Sequence, residues 1–344
     1  MVCLDGNVDL SAVQRTCPIP LIPEDFRLTA RPCPPSREAA LKHCKGQESA
    51  FWQAHEVSMS DDIKDWSKLT DDGRKFIEEV LAFFAISDNL VNVNLLERFL
   101  EDIPIPEFKR FYTFQAAMEN IHAEMYSIMI ENLVKDPDRQ KNLFNAIQMF
   151  PAIRKKAEWA VHWIESKDSF AHRLLGMLIT EGLFFQGAFC AIYWLREKKV
   201  MPGLCQANDF IAKDEKRHCD FAAYVYLLLK DMYRLSVEEV HAMFTAGLEC
   251  EVDFIVESLP CRLLGMNSEL MIIFLKHVVN GLLASIKYPP LYPDAYCPFA
   301  FMDMLSIPNK SAFFEVTPTE YVMSHGNTAN RDSSGKLVIE YDDF

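Results

Sequence analysis

Met118-Glu119-Asn120-Ile121-His122-Ala123-Glu124-Met125-Tyr126 decides the fold, because its Glu119-x-x-His122 returns as Glu215-x-x-His218, 96 residues later. Two further acids keep nearly the same register, Asp88 to Glu181 being 93 residues. The pattern is therefore two copies of one half-site. Side chains three and four residues apart share a helix face, so each Glu and His project together. These faces are otherwise apolar. Asp88 follows Leu81 and Phe84 and precedes Leu95, and Glu181 lies among Leu174, Leu178, Phe185, Ala188 and Ile192. Glu215 and His218 lie among Ile211, Ala222, Val225 and Leu229.

Acids on core faces must be protonated, paired or bound to metal, because an unpaired buried charge costs several kcal/mol, on the order of a domain's whole stability. No basic residues recur on these faces. Asp88, Glu119, Glu181 and Glu215 carry four negative charges, neutral His122 and His218 carry none, and two divalent cations balance the count. Oxygen and imidazole donors without thiolate suit iron or manganese, while histidine argues against magnesium or calcium. One carboxylate from each of two helices, with Glu-x-x-His from each of two others, is the ligand arrangement of ferritin-like di-metal bundles. The expected fold is all-α: a ferritin-like helical bundle with additional helices.

A single Glu-x-x-His has no weight, since 26 glutamates and nine histidines give about 0.7 such matches by chance. Glu238-x-x-His241 illustrates this, as it opens a helix whose first turn favours acids. Taken singly, Asp88 reads as a helix-terminal aspartate, and His122 and His218 as hydrogen-bonded core histidines. The composite of two matches with spaced partner acids is far rarer. There is no His-Glu-x-x-His, no phosphate-cradling glycine loop and no Gly-x-Ser-x-Gly elbow. His122-Ala-Glu124 lacks the Pro-Cys-x-x-Cys that a deaminase would need.

A formal charge of −14, from 35 basic and 49 acidic residues, leaves no footprint for nucleic acid or an anionic membrane. Ten cysteines without a Cys-x-x-Cys pair, and a start lacking a basic-then-apolar run, point to a reducing, cytoplasmic compartment. Gly176 to Leu195 is nearly long and apolar enough to span a membrane, but Glu181 and Gln186 lie in its middle and no second span of this quality is expected. It reads as one buried helix.

Residues 1–36 hold six of the 18 prolines and read as an extended leader. Helical signals dominate the expected domain, 37–307: Thr70 as an N-cap, Pro106 as a first-turn proline, and Ser236-x-x-Glu239 as a capping box. Residues 308–344 turn polar and end Ile-Glu-Tyr-Asp-Asp-Phe, the composition of a mobile tail that binds a partner.

Tyr126 lies one turn beyond His122 on the ligand face, where Phe185, Phe189 and Ile211 from two other ligand helices could surround its ring and exclude water. Alone, it would be an ordinary buried tyrosine with a satisfied hydroxyl. Beyond the leader, nearly all of the sequence resembles the small, radical-generating subunit of class I ribonucleotide reductase, eukaryotic or viral type. The resemblance is carried by Ala50-Phe51-Trp52, Leu81-Ala82-Phe83-Phe84-Ala85 with Asp88, Met118 to His122 with Glu124-Met125-Tyr126, Glu181 to Phe185, Met201-Pro202-Gly203-Leu204, and Asp214-Glu215 with His218 to Phe221.

The resemblance implies two iron ions per chain, activation by dioxygen, and a tyrosyl radical on Tyr126 that serves ribonucleotide reduction on a separate large subunit. It implies radical transfer through His122, Asp214 and Trp52 to Tyr321, with Tyr341 a second candidate. It also implies a homodimer docking on the large subunit through the tail that ends at Phe344. Gln186 stands where relatives usually have serine, Lys213 where arginine is common, and the ending only approximates the family's Phe-x-x-Asp-x-Asp-Phe. Two other readings stay open: a di-iron oxidase of the desaturase or monooxygenase type, which needs neither Trp52, Tyr321 nor an acidic tail, and an iron-storing or interaction protein that keeps the fold.

Overall fold

The computed structural model describes residues 17–22, 25, 32–94, 99–258 and 268–302, and of residues 88–94, 101, 164–165 and 258 it describes the backbone. Most of the expected leader, and the expected tail with Tyr321, Tyr341 and Phe344, lie outside the described residues. The chain separates into units Met1–Pro298 and Phe299–Phe344, and the helices and site described below belong to the first.

Among the described residues there is no strand. The helices of seven or more residues are α1 Glu38–Glu48, α2 Ser60–Trp66, α3 Asp71–Asn94, α4 Pro106–Leu133, α5 Pro137–Phe144, α6 Pro151–Glu165, α7 Phe170–Gly182, α8 Gln186–Glu197, α9 Pro202–Leu227, α10 Val237–Ser258 and α11 Ser268–Ser285. Two helix pairings, α3 along α4 and α7 along α9, joined by contact of α4 with α9, bring the four segments that carry the candidate ligands together. α1 packs over α4 and α9, and α6 joins α3, α7 and α10. The local start signals hold: Thr70 Oγ1 accepts from Gly73 N–H at 3.1 Å, Pro106 opens α4, and Ser236 and Glu239 exchange bonds of 2.8 and 3.2 Å.

Two expectations are corrected. The apolar run from Gly176 to Leu195 is not one helix, because it breaks at Leu183–Phe185 between α7 and α8. Phe184 N–H reaches Ile179 O at 3.3 Å, a five-residue step, while Gln186 N–H makes a three-residue step to Leu183 O at 3.1 Å. Consecutive residues on a straight helix point about 100° apart, and the break lets neighbouring Phe184 and Phe185 both be buried in separate clusters. Phe184 meets Trp159, and Phe185 meets Phe83 and Phe84. The most apolar 18-residue stretch within 170–197 is 94% buried, as a core helix pair requires. Ser268–Ser285 also has the length and hydropathy of a span and is only 28% buried, so a second such segment does exist.

The start of α9 explains Met201-Pro202-Gly203-Leu204. Met201 takes a left-handed backbone (φ 57°), Pro202 occupies the first turn, and the cap comes from another helix. Asp62 of α2 accepts from Gly203 N–H at 3.1 Å and Leu204 N–H at 3.2 Å, and Asp65 accepts from Met201 N–H at 3.0 Å. Gly203 is required by closeness: a Cβ there would fall 2.3 Å from Asp62 Oδ2 and 2.4 Å from Ser58 O. α2 thereby fixes the start of the helix that carries Asp214, Glu215 and His218.

Burial raises the Asp62 carboxyl to about 6, against the two amide bonds, which lower it. The folded chain therefore holds a proton that the unfolded chain releases near pH 4, and this contribution to stability is lost as pH rises through that window. Calorimetry of the metal-free protein should show the wild type losing thermal stability relative to Asp62→Asn between about pH 4 and 6.5. A gap that moves in favour of the wild type over that range would contradict this.

Candidate metal centre

α4 presents Glu119 and His122 one turn apart, α9 presents Glu215 and His218 in the same way, and α7 places Glu181 in its last turn. All five side chains are at most 2% exposed. One donor atom from each of Glu119, Glu181, Glu215 and His218 can be chosen so that all four lie within 4.8 Å of one another. His122 joins through Nδ1, 3.2 Å from Glu119 Oε2 and 3.3 Å from Glu215 Oε1. His218 Nδ1 lies 3.1 Å from Glu119 Oε1 and 3.3 Å from Glu181 Oε2, yet neither ring nitrogen makes a hydrogen bond of normal geometry. Asp88 lies on α3, and its side chain is outside the described residues.

The electrostatics of this cluster are those of acids in need of cations. Burial raises Glu181 to about 8, and Glu215 and Glu119 add to the rise. Burial alone would also raise Glu119, but His218 and His122 outweigh it and hold that carboxyl at about 2. Both histidines are pushed well above their ordinary value, because the surrounding carboxylates overcome burial. Without a metal, protons supply the balancing charge. Carboxylate and imidazole donors converging in a dry site, with no thiolate among them, fit a di-metal centre.

Beside the cluster runs a line of contacts. Asp214 Oδ2 accepts from Trp52 Nε1 at 2.8 Å and faces His122 Nε2 at 3.3 Å, which leaves His122 Nδ1 turned to the acids. The Trp52 ring stacks on His122 at 5.8 Å and meets Phe210 at a tilt, 5.2 Å between centroids. The other oxygen of Asp214 accepts from Arg217 at 3.2 Å. Lys213 holds its ammonium 5.9 Å from the Phe210 ring, and burial lowers its pKa.

Tyr126 is 1% exposed and stacks on Phe84 at 5.0 Å. Phe84 in turn meets Phe185 and Phe189, both at 5.4 Å, so these two expected pocket residues belong to the aromatic cluster with Phe84 between. Ile211 is buried one turn before Glu215. Glu238-x-x-His241 stays apart as an ordinary helix start, with His241 Nε2 bonded to Pro289 O at 3.0 Å.

Sequence reasoning missed Gln115 and Arg217. Gln115 Nε2 donates to both oxygens of Glu181, at 2.8 and 3.0 Å, and lies 3.4 Å from Glu119 Oε1. Its position one turn before Glu119 was the available signal. Arg217 follows Asp214 by three residues, a spacing too common to be noticed. Groups that orient metal-binding side chains are worth about 10–100-fold in affinity. Gln115→Leu should weaken anaerobic Fe(II) binding within that range, and an unchanged titration would show that Glu181 needs no such support.

Comparison with known proteins agrees with the geometry. Residues 33–298 match the family model "Ribonucleotide reductase, small chain". A ribonucleoside-diphosphate reductase small subunit from Dictyostelium discoideum is 42% identical over 301 residues, covering 86% of this sequence and 88% of that one. The corresponding protein of Variola virus is 41% identical over 297 residues, covering 86% and 92%. Among solved structures, the ribonucleotide reductase Rnr4 homodimer from Saccharomyces cerevisiae superposes with a TM-score of 0.73 at 33% identity, over 86% of this sequence and 90% of the yeast one. With matched sequence running through the bundle and every described ligand candidate in place, this protein belongs to the ribonucleotide reductase small-chain family and functions as the small subunit of ribonucleoside-diphosphate reductase.

Proposed function

We propose that Asp88, Glu119, His122, Glu181, Glu215 and His218 hold two iron ions, with manganese as the other metal suited to these donors, and that Tyr126 carries the oxidising equivalent. The observation that carries this reading is the line from the buried acids through His122 and Asp214 to Trp52. When bound, the metal pair supplies oxidising power, drawn from dioxygen, sufficient to take one electron and the phenolic proton from Tyr126. The protein's part is placement and protection. Phe84 covers a face of the Tyr126 ring, and Phe185 and Phe189 close the cluster behind it, which keeps water from a radical. Asp214 holds His122 through Nε2 and Trp52 through its indole N–H, while Arg217 restrains the remaining carboxylate oxygen. A fixed hydrogen-bonded relay of this kind lets electron and proton move together.

In this reading the equivalent leaves Trp52 for Tyr321, or Tyr341, in the tail, and the tail ending at Phe344 docks on a large subunit that binds the nucleotide. The protein works as a homodimer, as the name of the yeast relative states for that protein. A reducing, cytoplasmic setting agrees with the absence of disulfides among the eight described cysteines.

Electron paramagnetic resonance of iron-reconstituted protein should show a tyrosyl signal that Tyr126→Phe abolishes with its iron content kept. A wild type that takes up iron and never shows the signal would sink the radical assignment. A synthetic peptide of the last residues, through Phe344, should compete with the full-length protein for the large subunit. Undiminished binding in excess peptide would remove the tail from the docking account.

A further inference from the structure

Two charged side chains lie in the core away from the metal candidates. Lys156 of α6 and Glu251 of α10 are shielded from solvent, with Nζ and Oε2 2.6 Å apart. A buried ion pair is at best an even exchange against apolar side chains of similar volume. Its retention calls for a reason beyond holding α6 to α10.

That reason lies in what else each group touches. Lys156 Nζ donates to the main-chain oxygen of Phe184 at 2.7 Å, and Glu251 Oε1 accepts from Gly187 N–H at 3.2 Å. Phe184 and Gly187 stand on either side of Phe185, at the break between α7 and α8. A broken helix leaves carbonyls and amides without intrahelical partners, and buried ones are costly to leave unmade. Both residues are buried, so the charged pair does what water would do at a surface. Gly187 makes the approach possible, since a Cβ there would fall 2.5 Å from Glu251 Oε1 and 2.4 Å from Ile255 Cδ1.

The ammonium also lies 3.4 Å from the centroid of Phe83 and 4.2 Å from that of Phe254. Phe83 meets Phe84 at 5.8 Å and Phe185 at 5.6 Å, so the pair borders the same aromatic cluster that stacks on Tyr126.

We infer that Lys156 and Glu251 are positioning residues, a charged clamp that holds the α7–α8 break in the register that turns Glu181 to the acid cluster and Phe185 and Phe189 to the rings beside Tyr126. The consequence for Glu181 rests on its reading as a metal ligand. The clamp itself is a property of the metal-free protein, so the two can fail separately.

The test is hydrogen exchange on the metal-free, full-length protein, with anaerobic Fe(II) titration as a second readout. Lys156→Met with Glu251→Met removes both charges together and leaves no lone charge buried. Gly187→Ala keeps both charges and drives a methyl group against the carboxylate. Each should speed exchange at the amides of residues 183–189 by about tenfold or more relative to α3 and α4, and should weaken Fe(II) binding by a similar factor. Unchanged exchange at 183–189, with loosening confined to α6 and α10, would reduce the pair to a strut and overturn the proposal. Should the double variant not fold, Gly187→Ala decides by the same exchange readout. A wild type that binds no Fe(II) counts against the metal reading, and exchange still judges the clamp.

Discussion

Carboxylates that share one dry site repel each other, and in this protein Glu119, Glu181 and Glu215 share one with His122 and His218. Leaving such charges unbalanced would cost as much as the fold can supply, on the order of 5–15 kcal/mol. The cluster therefore gathers positive charge: protons on the histidines and on Glu181 in the bare protein, and metal ions in the proposed active form. A site of this kind is tolerated only if surrounding groups stop the acids from turning away toward water or toward other partners.

Much of the remaining structure serves that end. α2 caps α9 across space, so Asp214, Glu215 and His218 start from a fixed point. Gln115 ties both oxygens of Glu181 from the turn before Glu119, linking α4 to α7. Arg217 and Trp52 divide the two oxygens of Asp214, which fixes the side of His122 that faces away from the acids. At the α7–α8 break, bonds from Lys156 and Glu251 replace those the helix gives up. These supports come from α2, α4, α6, α9 and α10 and from Trp52 in the segment between α1 and α2, so the positions of the candidate ligands are over-determined.

Local periodicity made the bundle legible from sequence. Glu-x-x-His repeated at 96 residues, apolar stripes around each acid, and the Thr70, Pro106 and Ser236-Glu239 starts are all short-range signals that tertiary structure did not overrule. The interruption at Leu183–Phe185 was not legible, because an unbroken apolar run carries no mark of where its hydrogen bonds lapse. The side chains that bond its main-chain groups, Lys156 and Glu251, lie 28 and 64 residues away from their partners. Gln115 and Arg217 were missed for a related reason, since a polar residue one turn from a ligand is common and its partner is known only once the helices meet. Phe84, quoted within a motif, proved to be the ring on Tyr126, with Phe185 and Phe189 one layer behind.

The central claim is that these buried acids exist to hold two metal ions, and anomalous X-ray scattering at the iron edge from crystals of the iron-loaded protein tests it most directly. The account predicts two iron peaks per protomer, each within bonding distance of one histidine, His122 or His218, and of oxygens from Glu119, Glu181, Glu215 and Asp88. A single peak, or iron bound elsewhere with His122 and His218 still facing only carboxylates, would contradict it.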